Sequence, residues 1–318
     1  MIVKIENLKK YFPVRRGFLH RTVGWIQAVD GVSLEIKKGS TLGLVGESGC
    51  GKTTLGRAIL RLIEPDSGEI YYEQENVTRL KGQAIRRLRQ NMQIVFQDPD
   101  SSLNPRFTVS RIVGEGMHIF KLAPKDEIKQ RVKELIDMVG LPLDSLNRYP
   151  HQFSGGQRQR IGIARALSMK PSFIVLDEPV SSLDVSVQAQ IINLLYELQE
   201  KICLSYLFIT HDLNVTRQVA NDVAVMYMGK VVEVSQTEEL FNKPAHPYTR
   251  LLLEAMPISD PAKRKERPDV KGEVGSAFNL PTGCRFRNRC PLAINICSLR
   301  EPQLKEISPG HLVACHHY

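Results

Sequence analysis

The residues whose types and spacing best suggest chemistry lie at 46–53 and read Gly-Glu-Ser-Gly-Cys-Gly-Lys-Thr. Glycines let the backbone curl so that successive N–H groups point inward, and a following helix directs the positive end of its dipole to the same place. Lys52 can then reach the terminal phosphates of a nucleotide, and the Thr53 hydroxyl can hold Mg²⁺. The alternative is an ordinary glycine-rich turn. The apolar run at 41–45 and the helical pattern after the loop favour phosphate binding.

An acidic pair, Asp177 and Glu178, follows four consecutive apolar residues at 173–176. Such a run is typical of a strand buried on both faces of a parallel sheet. Open α/β sheets bind ligands at the carboxyl ends of these strands, so Asp177 can hold Mg²⁺ from the side opposite Thr53. Glu178 can polarise an attacking water molecule. The alternative is that Asp177 and Glu178 are surface acids that cap a turn. The presence of the phosphate-binding loop in the same chain makes this alternative the weaker of the two.

A second anion-binding surface is predicted at 153–157, which read Phe-Ser-Gly-Gly-Gln before a helical pattern. Ser154 is a good N-cap, and paired glycines before a helix leave its N-terminal N–H groups open to an anion. Only the loop at 46–53 carries a lysine, so two such surfaces are unexpected in a monomer. They make sense if two chains face each other and each supplies its second surface to the other's nucleotide.

The elements that must position these residues follow from the apolar patterning. Residues 1–95 alternate strand-like runs with turns, 98–165 have a helical pattern, and 166–235 return to alternating strands and helices. His211 comes just after a predicted strand at 204–209, where an imidazole can hydrogen-bond a phosphate oxygen. A surface histidine in a turn is the alternative there.

The chain resembles the ATP-binding subunit of an ABC transporter in the order and spacing of six motifs. These are Gly46–Thr53, Gln97 in Val-Phe-Gln-Asp-Pro, Ser154–Gln157, Asp177-Glu178, Ser182-Leu-Asp184 and His211. The resemblance implies the α/β nucleotide-binding domain of an ABC ATPase, with a P-loop core, an antiparallel β portion and an inserted helical subdomain. It also implies a head-to-tail dimer with two composite ATP sites.

The same resemblance implies roles for individual residues around the nucleotide. Gln97 would sense Mg²⁺ and the attacking water, Glu178 would be the catalytic base, and His211 would read the γ-phosphate. Tyr11 would stack on the adenine ring, with Phe12 as the rival.

The remaining implied contacts involve both chains of the dimer. Residues 154–156 would touch the partner's γ-phosphate, and Asp184 would lie at the dimer interface. The predicted nucleotide contacts are Tyr11, Gly46, Glu47, Ser48, Gly49, Cys50, Gly51, Lys52, Thr53, Thr54, Ser154, Gly155, Gly156 and Gln157. The predicted Mg²⁺ ligands are Thr53, Gln97 and Asp177.

A narrower resemblance is to the oligopeptide/dipeptide importer branch of this family. It rests on residues 97–106, 177–190 and 246–252, on an insertion at 15–26, and on the cysteine-rich tail after Gly283. It implies a paralogous ATPase partner, two transmembrane permease subunits and, indirectly, an extracytoplasmic solute-binding protein. The helical subdomain would dock onto the permeases near Ser101–Phe107. Import of another small solute such as nickel stays open.

A soluble ABC ATPase of translation or repair is the rival from another class. Those translation factors usually fuse two cassettes, whereas this sequence has one phosphate-binding loop. The 318 residues carry a net charge of +9 and are 42% hydrophobic and 24% charged. No apolar run approaches a membrane span, no signal peptide is recognisable, and no RNA-recognition signature accompanies the basic residues. We expect a peripheral protein at the cytoplasmic face of the cell membrane, without a nucleic-acid partner.

Two units are predicted, an ABC ATPase domain at 1–257, with its helical subdomain at about 98–165, and a C-terminal extension at 258–318. The extension begins with a linker at 259–274, rich in charge and proline.

Four of the six cysteines, Cys284, Cys290, Cys297 and Cys315, lie in the extension. Disulfides are disfavoured in the cytosol, zinc usually prefers closer pairs, and reduced thiols remain an alternative. The resemblance to peptide-importer ATPases favours a structural [4Fe–4S] cluster, whose negative charge Arg285, Arg287 and Arg289 would offset. Cys50, inside the phosphate-binding loop, is expected to have a pKa lowered by Lys52.

Overall fold

The structure is a computed structural model that describes residues 1–17, 21–256, 278 and 280–318. The predicted linker at 259–274 lies outside these residues. Two sheets form the framework. The smaller one is antiparallel and consists of β1 (Val3–Arg16), β2 (Arg21–Ile36), β4 (Ser67–Tyr72) and β5 (Glu75–Asn76). Its strand order is β2-β1-β4-β5, and it is the antiparallel portion that the sequence predicted near the N-terminus.

The larger sheet has eight strands among the residues described. They are β3 (Thr41–Val45), β6 (Met92–Val95), β7 (Phe173–Asp177), β8 (Ser205–Thr210), β9 (Asp222–Tyr227), β10 (Lys230–Gln236), β11 (Lys305–Ser308) and β12 (His311–Val313). Their order is β11-β12-β10-β9-β3-β8-β7-β6. The five strands from β9 to β6 run parallel.

Strands β3, β7 and β8 are buried along their whole length, as their apolar sequences predict for a sheet covered on both faces. The register places Val45 beside Thr210 and Asp177 beside Ile209. Because parallel strands end at the same edge, residues that follow these three strands meet there.

Eleven α-helices occur in the described part of the chain. They are α1 (Lys52–Ile59), α2 (Gly82–Asn91), α3 (Pro99–Ser102), α4 (Val109–Ile119), α5 (Lys125–Met138), α6 (Gly155–Leu167), α7 (Val185–Ile202), α8 (Leu213–Val219), α9 (Thr237–Asn242), α10 (Pro247–Glu254) and α11 (Ile296–Leu299). Two 3₁₀ helices, Leu143–Asn147 and Pro150–Gln152, precede α6. Helices α3 to α6 occupy the region that the sequence marked as helical.

Apolar packing joins this helical region to the sheet. Val132 and Ile136 of α5 are buried and share one core cluster with Leu176 of β7 and Phe208 of β8. Residues three and four apart lie on one face of a helix, so a single stripe of α5 makes this contact.

The C-terminal residues add to the large sheet. Strand β12 pairs antiparallel with β10, with Glu233 opposite Val313. Phe286 is fully buried in a cluster with Tyr227 and Tyr248, and these three rings contact one another edge-on or tilted. Strand pairing and aromatic burial therefore attach the extension to the large sheet.

Candidate nucleotide-binding site

The loop at 46–53 joins β3 to α1 and requires glycine at two positions. Gly46 has φ of +154°, and a Cβ there would lie 2.1 Å from the Met226 carbonyl oxygen. Gly51 has φ of +111°, and its Cβ would lie 1.9 Å from the Ala28 oxygen. A side chain at either position would clash with backbone, so the tight curl of the loop depends on these glycines.

Lys52 begins α1 and folds back into the loop. Its Nζ donates to the Gly46 oxygen at 2.6 Å and to the Glu47 oxygen at 3.0 Å, and only 5% of the residue is exposed. The N-terminus of α1 points toward the same loop, as helix-terminal anion sites require. The ammonium group therefore lies where the phosphates of a nucleotide would meet it.

Thr53 and Asp177 lie side by side, although 124 positions separate them in the sequence. The Thr53 hydroxyl donates to Asp177 Oδ1 at 2.8 Å. Burial raises the pKa of Asp177, and the hydrogen bond from Thr53 opposes that effect. A hydroxyl and a carboxylate oxygen are hard ligands of the kind that Mg²⁺ prefers, so the pair fits the predicted metal.

Two residues that follow other strands, Gln97 after β6 and His211 after β8, contact Glu178. Gln97 Nε2 donates to its Oε2 at 2.9 Å, and His211 Nδ1 lies 3.3 Å from its Oε1. Glu178 itself has φ of +48°, a conformation that non-glycine residues rarely adopt and that tends to occur at functional sites. The structure thus brings together three residues that the sequence could only place after separate strands.

Ser154 to Gln157 form the N-terminus of α6, capped as expected. The Ser154 hydroxyl accepts from the Gln157 backbone, and the Gln157 side chain accepts from Ser154 N at 3.0 Å. Ser154 and Gly155 are exposed. In the described part of the chain, no hydrogen bond or ion pair joins 154–157 to the loop at 46–53. Asp184 caps α7 through its bond to Val187 N at 3.0 Å.

Tyr11, the predicted adenine-stacking residue, forms hydrogen bonds with two aspartates. Its hydroxyl donates to Asp30, and its backbone N–H donates to Asp66 Oδ2 at 2.6 Å. Phe12 is the alternative candidate for stacking on adenine, and the Lys10 ammonium lies 5.6 Å from the centre of its ring. The stacking role stays a prediction.

The sequence analysis did not predict that Tyr248 and Arg289 contact the phosphate-binding loop. The Tyr248 hydroxyl accepts a hydrogen bond from the Glu47 backbone N–H at 2.9 Å. Arg289 donates from both terminal nitrogens to the Glu47 carboxylate, each at 2.9 Å. Pairs more than 200 positions apart leave no local sequence signal.

The expectation for Cys50 is wrong in direction. Burial raises the pKa of this thiol, which is 6% exposed, and the nearby Lys52, 3.9 Å from Sγ, lowers it by less. Desolvation disfavours the thiolate more strongly than one neighbouring cation favours it.

The predicted iron–sulfur site at Cys284, Cys290, Cys297 and Cys315 is also wrong. Among the described residues, no group of three or more His, Cys, Asp or Glu is arranged to hold a metal ion, and the four cysteines are free thiols.

The extension is attached to the rest of the chain by other means. Phe286 packs in an aromatic cluster, and β12 pairs with the edge of the large sheet. Arg285 and Arg289, assigned to offset the cluster charge, instead pair with Asp30 and Glu47.

Comparison with known proteins identifies the family to which this site belongs. Residues 29–181 match the family described as ABC transporter, and residues 232–297 match the C-terminal region of the oligopeptide/dipeptide transporter family. The oligopeptide transport ATP-binding protein AppF of Bacillus subtilis is 49% identical over 100% of this chain and 97% of its own length. The chain belongs to the ABC transporter family. It is accordingly an ABC-type ATPase.

Two solved structures of ABC transporter components are similar to this chain. The cassette MJ0796, described as a dimer in a post-hydrolysis state bound to ADP and Pi, has a TM-score of 0.66 at 30% identity, covering 74% of this chain and 99% of that one. CbiO1 of Clostridium perfringens, part of the transporter complex cbiONQ, has a TM-score of 0.65 at 30% identity, covering 76% and 91%. Among the described residues, no helix has the length and apolar character of a membrane span.

Proposed function

We propose that this chain hydrolyses ATP to power the import of di- or oligopeptides through a membrane ABC transporter. The observation that carries the proposal is the convergence of Gln97 and His211 on Glu178, beside the Thr53–Asp177 pair. Phosphoryl transfer needs a phosphate cradle, metal ligands and a water-positioning group in one place. The peptide cargo is supported by the AppF relative and by the transporter C-terminal region at 232–297.

In this proposal the loop at 46–54 binds the nucleotide phosphates. Lys52 exchanges its two carbonyl partners for phosphate oxygens, and Tyr11 stacks on the adenine. Thr53, Gln97 and Asp177 would hold Mg²⁺, which neutralises phosphate charge when bound. Glu178 accepts a proton from the attacking water.

His211 can report the γ-phosphate to that carboxylate because its ring already lies beside Glu178. The histidine side chain is 57% exposed, so a phosphate can reach it from solvent.

The second half of each site comes from another chain. The exposed N-terminus of α6, at 154–157, would contact the γ-phosphate of a paralogous subunit in a head-to-tail dimer. Two permease subunits would bind the helical subdomain at about 98–165, and a solute-binding protein would act through them. This arrangement puts the ATPase domain, 1–257, and the extension, 258–318, at the cytoplasmic face of the membrane.

Transport in proteoliposomes tests the proposal. Vesicles that contain this chain, its partner ATPase and both permeases should take up a labelled oligopeptide only when ATP is supplied. The Lys52→Ala chain is the matched control and should abolish uptake. Uptake of nickel but not of peptide would overturn the cargo, and hydrolysis without uptake of any solute would overturn the transport role.

A further inference from the structure

Arg289, in the C-terminal extension, forms a two-pronged ion pair with Glu47, the second residue of the phosphate-binding loop. Nη1 donates to Oε2 and Nη2 donates to Oε1, both at 2.9 Å. The Arg289 side chain is 6% exposed and that of Glu47 is 24% exposed. Paired charge-assisted bonds of this geometry are stronger and more directional than a single surface contact.

The surroundings of Arg289 fix its position. Its guanidinium lies 5.8 Å from the ring centre of Phe286 and 5.9 Å from that of Tyr227. Phe286 in turn packs on Tyr248, whose hydroxyl accepts the Glu47 backbone N–H. The extension and its aromatic neighbours therefore hold both the main chain and the side chain of one loop residue.

The charge of Glu47 gives this contact a functional consequence. A carboxylate carried by a phosphate-binding loop repels the polyphosphate that the loop must bind, and partial burial strengthens the repulsion. The pairing with Arg289 cancels that charge and directs the carboxylate toward the extension. Without Arg289, an uncompensated negative charge would remain on the loop.

We propose that Arg289 is a positioning residue for the nucleotide site, so that the C-terminal extension sets the affinity of this ATPase for ATP. The inference rests on the proposed ATP-binding function of the loop at 46–53. Arg289 acts through Glu47 and needs no contact with the nucleotide.

A second arginine of the extension, Arg285, is connected through Asp30 to Tyr11, the predicted adenine contact. Arg285 donates to Asp30, to the Met228 oxygen and, at 2.9 Å, to Gln27 Oε1. Asp30 also accepts the hydroxyl of Tyr11, the predicted adenine contact.

Arg287, between these two arginines, supplies a matched control. Among the residues that the structure describes, its side chain bonds only to Thr282, Ser298 and its neighbour Asn288, all within the extension.

Nucleotide affinity of the purified full-length chain is the decisive measurement. Calorimetric titration with a non-hydrolysable ATP analogue and Mg²⁺ should give a Kd about 5- to 50-fold higher for Arg289→Ala than for the wild type, the range expected for linked sites. Arg287→Ala should match the wild type. Failure of the wild type itself to bind the analogue would refute the proposed function rather than the role of Arg289.

A suppressor variant separates positioning from a general loss of structure. Arg289→Gln keeps hydrogen-bond donors without the charge and should also bind weakly, more so at low salt. Adding Glu47→Gln removes the uncompensated carboxylate and should restore most of the affinity. Wild-type affinity in both Arg289 variants, or an Arg289→Gln defect that Glu47→Gln leaves unchanged, would overturn the proposal. If Arg289→Ala does not fold, the Gln variant and its suppressor decide alone.

Discussion

At the scale of single residues, Glu178 is positioned by residues that are close in space but distant in sequence. Gln97 and His211 each contact one of its carboxylate oxygens, and its backbone N–H donates to the Ile209 oxygen at 2.9 Å. These three contacts hold the left-handed backbone conformation in place. The carboxylate is therefore fixed before any nucleotide arrives, as a base that must face one water molecule requires.

Replacement of this carboxylate should separate binding from turnover. Glu178→Gln keeps the shape and the contacts with Gln97, but it cannot accept a proton, so steady-state hydrolysis should fall by about 10²- to 10⁴-fold with ATP affinity retained. Lys52→Ala is the contrasting variant, because loss of the ammonium should weaken ATP binding itself. Colorimetric phosphate release and calorimetric titration measure the two effects. A Glu178→Gln chain that hydrolyses ATP at the wild-type rate would show that another group is the base.

At the scale of elements, α6 combines a structural cap with the predicted surface for a partner's phosphate. Its first glycine is exposed, whereas Gly156 packs so closely that an added Cβ would lie 2.3 Å from Val187 Cγ1. The helix N-terminus is thus held against α7 while its first turn stays open.

Two substitutions at Ser154 can distinguish these two tasks. Ser154→Ala removes the cap and should lower the free energy of unfolding by about 1 kcal/mol. Ser154→Asp preserves the cap, since Asp and Ser cap about equally well, but its charge should repel the partner's phosphate and abolish hydrolysis in the assembled transporter. Urea unfolding and reconstituted ATPase assays provide the readouts. Normal activity of Ser154→Asp would argue against a phosphate contact at this position.

Helix α10 begins at a buried histidine that should make stability depend on pH. His246 caps the helix through Nδ1, which accepts from Tyr248 N at 3.0 Å. Its pKa is lowered from 6.5 to about 4, mainly by burial and also by the charge of Arg250, while a hydrogen bond with the Ala314 backbone opposes both effects. The unfolded chain therefore binds a proton between pH 6.5 and 4 that the folded chain does not.

Stability should accordingly be complete above about pH 6.5 and fall as the pH drops toward 4, by roughly 2 kcal/mol at pH 5 from this group. His246→Asn, which can still cap the helix, should reduce the loss between pH 7 and 5. Substitution of the exposed His118 by Asn should leave it unchanged. Urea unfolding at the two pH values tests this, and an equal loss in the His246 variant would assign the dependence elsewhere.

At the scale of the whole molecule, the two predicted halves of a nucleotide site do not contact each other through polar groups within one chain. The loop at 46–53 and the α6 N-terminus at 154–157 make no hydrogen bond or ion pair with each other within the described residues. The related cassette MJ0796 is described as a dimer, which is the arrangement that two separate half-sites require.

Hydrolysis should therefore depend on association. The isolated chain should be a weak ATPase whose specific activity rises with protein concentration or on addition of the partner subunit. The Glu178→Gln chain should form a dimer with ATP, visible by light scattering, and Lys52→Ala should remain monomeric under the same conditions. Full activity in a dilute monomer would exclude the composite site.

Much of the nucleotide site was predictable because its chemistry is local in sequence. The loop at 46–53 carries its own glycines and lysine, and Asp177 and His211 follow largely apolar runs that are typical of buried strands. The match to a known family then fixed the ABC fold. The curl of the glycine loop and the strand character of an apolar run depend mainly on residues adjacent in sequence. A contiguous motif is therefore enough to predict them.

Tertiary structure alone decided what each charged or thiol side chain meets. The sequence placed Arg289 beside a metal cluster, whereas the fold pairs it with Glu47, 242 positions away. A lowered pKa was predicted for the Cys50 thiol, whereas burial in the folded loop raises it. Desolvation and ion pairing depend on distances between segments far apart in the chain, and those distances exist only once the two sheets and the C-terminal extension have packed together.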